Sequence, residues 1–446
     1  MPENPYDQLA YRTFPRRQTH PDRLASLATL FGMSPAPVTA CRVLEIGCGD
    51  GANLIPLAFH LPASCFTGID LASAPIAAAQ QTARALGLAN IEFRAQDLCD
   101  LSAADGKFDY IFAHGLYSWI PADVRDRLLA VCHERLAPQG VAFVSYNTYP
   151  GRYPRQMIRE ILLQHLRGIE EPAARLAAAR AFLPQLDHPE AKAMLELGDD
   201  SLFHDDLAPV NDPVWFHEFA AHAARHGLQY LGEADSHKTF HTTPESPDIL
   251  EREQHVDFLK LRRFRQTLLC RAELPLDHHI SPARMDEFLF SENLRGRKVE
   301  EGEPELQAVV RALQDTSPLP AAFEDLLPYA GTVETLREIL FAMLSAGFAN
   351  LHVYEFPCQE TVTARPCAGL LVRHQAARGG NVTNACHLPV ELDPIGRSLA
   401  LLLDGTRSHE ELALALAALP DGPPLDDIRR HLPASLAWFA RMALLE

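Results

Sequence analysis

Apolar and polar positions follow two rhythms along this chain, and the change between them divides it. From residue 41 to about 150, apolar runs of four to six residues alternate with longer stretches of helical period, the pattern of a parallel sheet flanked by helices. Strands are predicted at 42–46, 65–69, 91–94, 108–113 and 141–146, with helices at about 51–60, 73–86 and 123–136. Residues 153–207 are rich in Ala, Leu and Arg and hold no strand candidate, so a helical insertion is expected over about 151–212. The first rhythm then returns. A helix at 214–226, a strand at 228–232, a helix near 248–262 and a seventh strand at 264–270 complete a domain spanning 41–275.

The flanks differ from this core. Residues 1–40 carry Tyr6, Tyr11 and Phe14, more aromatic side chains than a disordered tail holds. Asp22 is placed to cap a helix through Leu24, Leu27 and Leu30 that ends at Gly32. This segment is expected to pack across the ligand cleft of the next domain. Beyond 276 the chain is Pro-punctuated and helical with short strands, which suggests two small α+β, winged-helix-like modules at 276–375 and 376–446. In the second, Ser408 caps a helix with Glu410 and Glu411 in its first turn.

The chemistry concentrates in Cys41–Gly51, which reads C-R-V-L-E-I-G-C-G-D-G. Its apolar half suits a buried strand; its glycines let backbone approach a ligand, and the helix that follows offers free N–H groups. The spacing is Glu45-x-Gly47-x-Gly49-x-Gly51, not the G-x-G-x-x-G of a dinucleotide site. Asp70, at the end of the second strand, is placed to accept hydrogen bonds from two ribose hydroxyls. Asp97, after the third strand, can accept from an adenine amino group, and Glu45 lies beneath the glycine turn. In a doubly wound sheet all three reach the carboxyl edge, where ligands bind. Three acids so placed are more than helix caps.

Composition narrows the partners. At 446 residues two or three domains are expected, and 40 Lys+Arg against 58 Asp+Glu give a net charge of −18. That balance disfavours nucleic acid and anionic membranes, and it favours protein contact over DNA for the winged modules. The nine cysteines form no C-x-x-C pair, which fits a reducing compartment. No apolar run reaches 18 residues and the N-terminus has no apolar leader, so membrane insertion is not expected and a cytoplasmic location is. The acidic stretch 199–206 lacks the spacing of a calcium loop and reads as a solvated loop.

An E-x-G-x-G-x-G turn closing a first strand resembles motif I of the class I S-adenosylmethionine (SAM) methyltransferases. Longer strings are more specific: T-H-P at 19–21, F-D-Y-I-F-A-H-G-L-Y-S-W-I-P at 108–121 and S-Y-N-T-Y-P-G at 145–151. Together with N-D-P-V-W-F-H-E-F and F-R-Q-T-L-L-C, they resemble methyltransferases with an appended regulatory domain, a group that includes the rickettsial outer-membrane-protein lysine methyltransferases. The resemblance implies a Rossmann-like, seven-stranded α/β sheet using SAM and releasing S-adenosylhomocysteine. It implies cofactor contacts from Glu45, Gly47, Cys48, Gly49, Asn53, Asp70, Leu71, Gln96, Asp97, Leu98, Ala113 and His114. The acceptor side would draw on His114, Tyr117, Trp119, Asn147, Tyr149 and Tyr6, with Tyr11 and Tyr146 as further aromatic wall.

The expected activity is methylation of protein lysine. The alternatives are a small-molecule acceptor, or a SAM-binding scaffold without turnover. Methylases of exocyclic base amino groups carry N-P-P-Y or a relative where this chain has H-G-L-Y, which disfavours that chemistry. A protein substrate or a small acceptor is therefore the expected partner, and a homodimer is an open option.

Overall fold

The computed structural model describes residues 9, 11, 13–235, 246, 248–294, 303–359, 361–420 and 422–446. Seven strands form the central sheet: β1 (Arg42–Ile46), β2 (Cys65–Asp70), β3 (Ile91–Ala95), β4 (Phe108–Ala113), β5 (Leu136–Asn147), β6 (Leu228–Glu233) and β7 (Phe264–Arg271). Their order is β3-β2-β1-β4-β5-β7-β6, with β7 antiparallel to both of its neighbours and the rest parallel. The expected Rossmann-like sheet is observed strand for strand. The order reverses between β1 and β4, and a crevice opens outside the carboxyl ends there.

Helices cover both faces because β1, β4 and β5 are apolar on both sides. After α1 (Pro21–Leu30) in the leader come α2 (Leu54–His60), α3 (Ser73–Ala85) and α4 (Ala122–Arg135). Between β5 and β6 lies the helical insertion, α5 (Tyr153–His165), α6 (Pro172–Phe182) and α7 (Pro189–Leu195). Ile158, Leu162, Leu183 and Met194 give it a core of its own. Then α8 (Phe216–Arg225) and α9 (Ile249–Lys260) flank β6. Arg265 of β7 is fully buried and is balanced by Glu233 (2.6 Å), Asp257 (2.9 Å) and Glu253 (3.1 Å).

The leader does more than cover a cleft. Nine of the ten residues of α1 are buried. Its cap is His20, whose Nδ1 accepts from the Asp22 N–H (3.1 Å), and not Asp22 as the spacing suggested. Asp22 turns instead to the next module, accepting from His352 Nδ1 (2.7 Å) and the Val353 N–H (2.8 Å), while Arg23 donates to Asn350 (2.7 Å). That module combines α10 (Pro304–Thr316), α11 (Phe323–Ala330) and α12 (Val333–Ala346) with strands β8 (Leu289–Glu292), β9 (Ala321–Ala322) and β10 (Ala349–His352). Its apolar residues, Phe290, Leu313 and Leu340 among them, join Leu24, Leu27, Val43 and Phe112 in one continuous core.

The last module gathers α13 (Leu370–Ala377), strands β11 (Val382–Thr383) and β12 (Pro389–Val390), α14 (Pro394–Leu402), α15 (His409–Ala417) and α16 (Leu425–Arg441). Ser408 makes the expected capping box with Glu411. Ala368, Val372 and Ala376 share a core with Leu412 and Phe439, so the boundary drawn at 375/376 falls inside this module. The helix there packs Val372 and Ala376 against the C-terminal helices, while Leu371 reaches the larger core of the sheet and the preceding module.

Asp22→Ala leaves the buried His352 imidazole and the part-buried Val353 N–H without their acceptor. The expected loss is about 3–5 kcal/mol, measured by urea unfolding. An unchanged midpoint would mean that α1 is held by apolar contact alone.

Candidate functional site

Each residue of the site comes from a strand end or from a segment folded over it. Glu45 closes β1, Asp70 closes β2, Gln96 and Asp97 follow β3, His114 follows β4 and Asn147 closes β5. They wall a single cavity of about 840 Å³. The glycine turn is left-handed at Gly47, Gly49 and Gly51. At Gly51 a Cβ would also sit 2.6 Å from the Phe93 ring, so β3 can approach only a glycine there.

Asp70 anchors this turn. One of its oxygens accepts from the Gly49 N–H (2.9 Å) and the other from the Ala72 N–H (2.8 Å). Asp97 accepts from the Cys99 N–H (2.9 Å). Both acids therefore cap backbone and line the cavity, because a carboxylate has about four acceptor positions. Glu45 is 4% exposed; its Oε1 accepts from Asn53 Nδ2 (2.9 Å), and its buried Oε2 has no protein partner among the described residues. Burial pushes its carboxyl up to about 8, against the Asn53 hydrogen bond and with help from the Asp70 charge.

Eleven of the twelve expected cofactor residues line this cavity: Glu45, Gly47, Cys48, Gly49, Asn53, Asp70, Leu71, Gln96, Asp97, Leu98 and His114. Ala113 does not; it is fully buried in β4, one residue before the chain reaches the edge. Of the residues expected on the acceptor side, His114, Trp119 and Asn147 line the same cavity, as does Tyr11. Trp119 Nε1 is buried without a protein partner among the described residues. Burial pushes His114 down to about 3, so its imidazole is neutral and a weak base.

Three aromatic expectations resolve differently. Tyr117 turns away into the core, between Tyr146 and Phe219, and its hydroxyl bonds His222 Nδ1 (2.8 Å). Tyr146 is fully buried and bonds Thr267 (3.1 Å). Tyr149 stacks on Tyr153 and lies tilted against Trp215, outside the cavity wall. Tyr6 lies outside the described residues.

Other wall residues went unread in the sequence. Thr13, Phe14 and Arg16 come from the leader, Phe264 and Gln266 from β7. β7 runs antiparallel, so its first residues, not its last, reach the carboxyl edge. The acidic stretch is not a solvated loop. Leu202–Asp206 forms a π-turn in which Asp206 is fully buried and held by Arg155 at 2.9 and 2.5 Å. Asp205 faces the cavity, where burial and the Asp206 charge push its carboxyl up to about 6. Its signal was a cluster of acids beside apolar Leu202 and Phe203 on an otherwise helical insertion.

The raised Glu45 carboxyl sets a pH dependence. Its folded value of about 8 lies above the unfolded value near 4.3, so its contribution is whole below pH ~4.3 and is lost as pH rises through 8. Glu45→Gln, neutral throughout, should therefore gain thermal stability relative to the wild type between pH 5 and pH ~8.5. A gap that stays flat over that range would show Glu45 ionised in the folded protein.

Comparison with known proteins agrees with this geometry. Residues 43–140 match a methyltransferase domain, 198–271 a predicted methyltransferase regulatory domain and 364–421 the PKMT C-terminal winged helix domain. The chain is 38% identical to the uncharacterized protein RP789 of Rickettsia prowazekii over 301 residues, 62% of this chain but 54% of that protein, so it spans about half of that relative. It is 32% identical to RP028 of the same organism over 240 residues, covering 51% of this chain and 96% of the relative. Its fold matches PKMT2 from Rickettsia typhi with a TM-score of 0.83 over 98% of this chain and 99% of the other, at 24% identity. The same protein in complex with AdoHcy matches at 0.82. With motif, sheet order and cavity in agreement, the chain belongs to the SAM-dependent methyltransferases and carries their regulatory and PKMT winged-helix domains.

Proposed function

We propose that this chain methylates lysine side chains of a protein substrate, using SAM. The observation that carries this reading is that one cavity is lined by the Asp205 carboxyl, which hydrogen-bonds Tyr11, and also by Trp119, Phe264 and Asn147. Aromatic walls around one acid suit an amine on an apolar stem. The PKMT winged-helix match and the full-length likeness to PKMT2 support the same substrate class.

The residues present fit the cofactor. Asp70 would take the ribose hydroxyls through the lone pairs its capping bonds leave, and Asp97 the adenine amino group, with Leu71 and Leu98 against the ring. The glycine turn and Arg16 would receive the amino-acid carboxylate. Arg16 lines the cavity, and among the described residues no carboxylate lies within ion-pair distance of it. The other wall arginines are engaged: Arg155 and Arg152 with Asp206, Arg263 with Glu190. SAM supplies an electrophilic methyl group on a sulfonium.

The protein's share is to hold the amine in line, keep water out and remove a proton. An ammonium has no lone pair, and its ordinary pKa near 10.4 must fall. The aromatic walls lower it by desolvation. Asp205, neutral or charged around pH 6, draws the ammonium in and takes the proton. Asn147 donates to Asn211 (2.8 Å), which leaves its carbonyl to orient the amine. His114 is too weak a base for this step.

Asp70→Ala should weaken SAM and S-adenosylhomocysteine binding at least about tenfold by calorimetry; equal affinity removes the cofactor assignment. Asp205→Asn should keep that affinity and lower methyl transfer by about 10²-fold or more. With methyl-labelled SAM and a cell extract, label is expected in acid-stable protein as methyl-lysine. Label confined to soluble metabolites would replace this reading with a small-molecule acceptor.

A further inference from the structure

Away from the cavity, three side chains on two helices aim their polar atoms at one point. Asp126 lies in α4, His222 lies in α8, and His226 ends α8 one turn later. His222 Nε2 and His226 Nε2 stand 3.2 and 2.8 Å from the same Asp126 oxygen. All three ligand atoms fall within 4.8 Å of one another. We propose that Asp126, His222 and His226 bind one divalent cation of zinc's class, which clips α8 to α4.

The spacing supports this. Histidines four residues apart share a helix face, so both rings reach one ion without distorting the helix. A tetrahedral zinc with bonds of 2.0–2.2 Å separates its donors by about 3.3–3.5 Å. The two observed separations, 3.2 and 2.8 Å, fall just short of that spacing, so the side chains need only move apart by about half an ångström or less from Asp126 to admit the ion. Two imidazoles and one carboxylate suit zinc and its first-row neighbours; calcium and magnesium take oxygen donors. Asp126 is 58% exposed in its side chain, which leaves the fourth position open to water.

The outer contact points the same way. Tyr117 Oη lies 2.8 Å from His222 Nδ1. With Nε2 on the ion, the neutral ring carries its proton on Nδ1 and donates it to the tyrosine oxygen. Such a partner on the far nitrogen fixes the ring of a metal-bound histidine. Tyr117 begins the turn Tyr117–Trp119, and Trp119 and Ile120 wall the cavity. An ion here would hold that wall through Tyr117.

The test uses the full chain, stripped with chelator and titrated with zinc by calorimetry and with cobalt by visible absorption. One tight equivalent is expected, with a cobalt spectrum of nitrogen and oxygen ligands. Zinc should raise the thermal midpoint. His222→Ala/His226→Ala should abolish both effects, and Tyr117→Phe should weaken binding about tenfold. Asp126→Asn, an exposed and nearly isosteric change, is the variant least prone to misfold and should also weaken zinc. The absence of a tight equivalent, or one that both the double variant and Asp126→Asn retain, overturns the proposal. So does a sulfur-to-cobalt absorption band, which would assign the ion to the chain's cysteines.

Discussion

One buried amide, Asn53, joins three separated parts of this protein. Its Nδ2 donates to Glu45 at the end of β1 and to Thr19 of the leader, while its Oδ1 accepts from the Arg16 N–H and from His387 Nε2 of the last module. Asn53 is 5% exposed, and all four of these partners are protein groups. Each buried polar group left without its partner costs its desolvation. The leader and the C-terminal module must both be seated before the first turn of the site acquires its final shape. His387 holds its place with a left-handed backbone (φ 59°), and burial drives its imidazole well below the ordinary value, keeping it neutral.

Helix α1 carries this coupling into the core. Buried on nearly every side, it separates the sheet from the module built on β8–β10 and binds both, through Leu24 and Leu27 on one side and Asp22 and Arg23 on the other. The antiparallel strand β7 depends on a different device. Arg265 has no exposure, and such a charge is tolerated only where acids surround it, as Glu233, Glu253 and Asp257 do. Their pairing ties β7 to β6 through Glu233 and to α9 through Glu253 and Asp257, while the ladder with β5 brings Phe264 and Gln266 to the cavity wall.

The cavity has two origins. Its cofactor end is made by parallel strand ends and glycine backbone, which any sheet of this order provides. Its remaining walls are additions: the leader through Tyr11, Phe14 and Arg16, the insertion through Asp205, and the antiparallel strand through Phe264. Most of the aromatic and acidic character of those walls thus lies outside the parallel strands. Specificity on such a fold belongs to what is grafted onto it.

The alternation of apolar runs was enough to place all seven strands, since a strand buried on both faces announces itself locally. The glycine turn and the acids Glu45, Asp70 and Asp97 were legible for the same reason: each sits at a strand end, and strand ends share one edge. The direction in which a side chain leaves a loop is not local. Tyr117 and Tyr149 follow strands as Trp119 does, yet they pack into the core or against Trp215, because their neighbours across the sheet decide it. Asp22 looked like a cap until β10 presented His352 to it, and Asp205 looked solvated until the insertion folded over the cleft. The sequence by itself determined the sheet, its ligand-binding edge and the cofactor end of the site. Tertiary structure alone decided the remaining walls of the cavity and the seating of the C-terminal modules, because those rest on contacts between residues 195 to 334 positions apart, which no local pattern encodes.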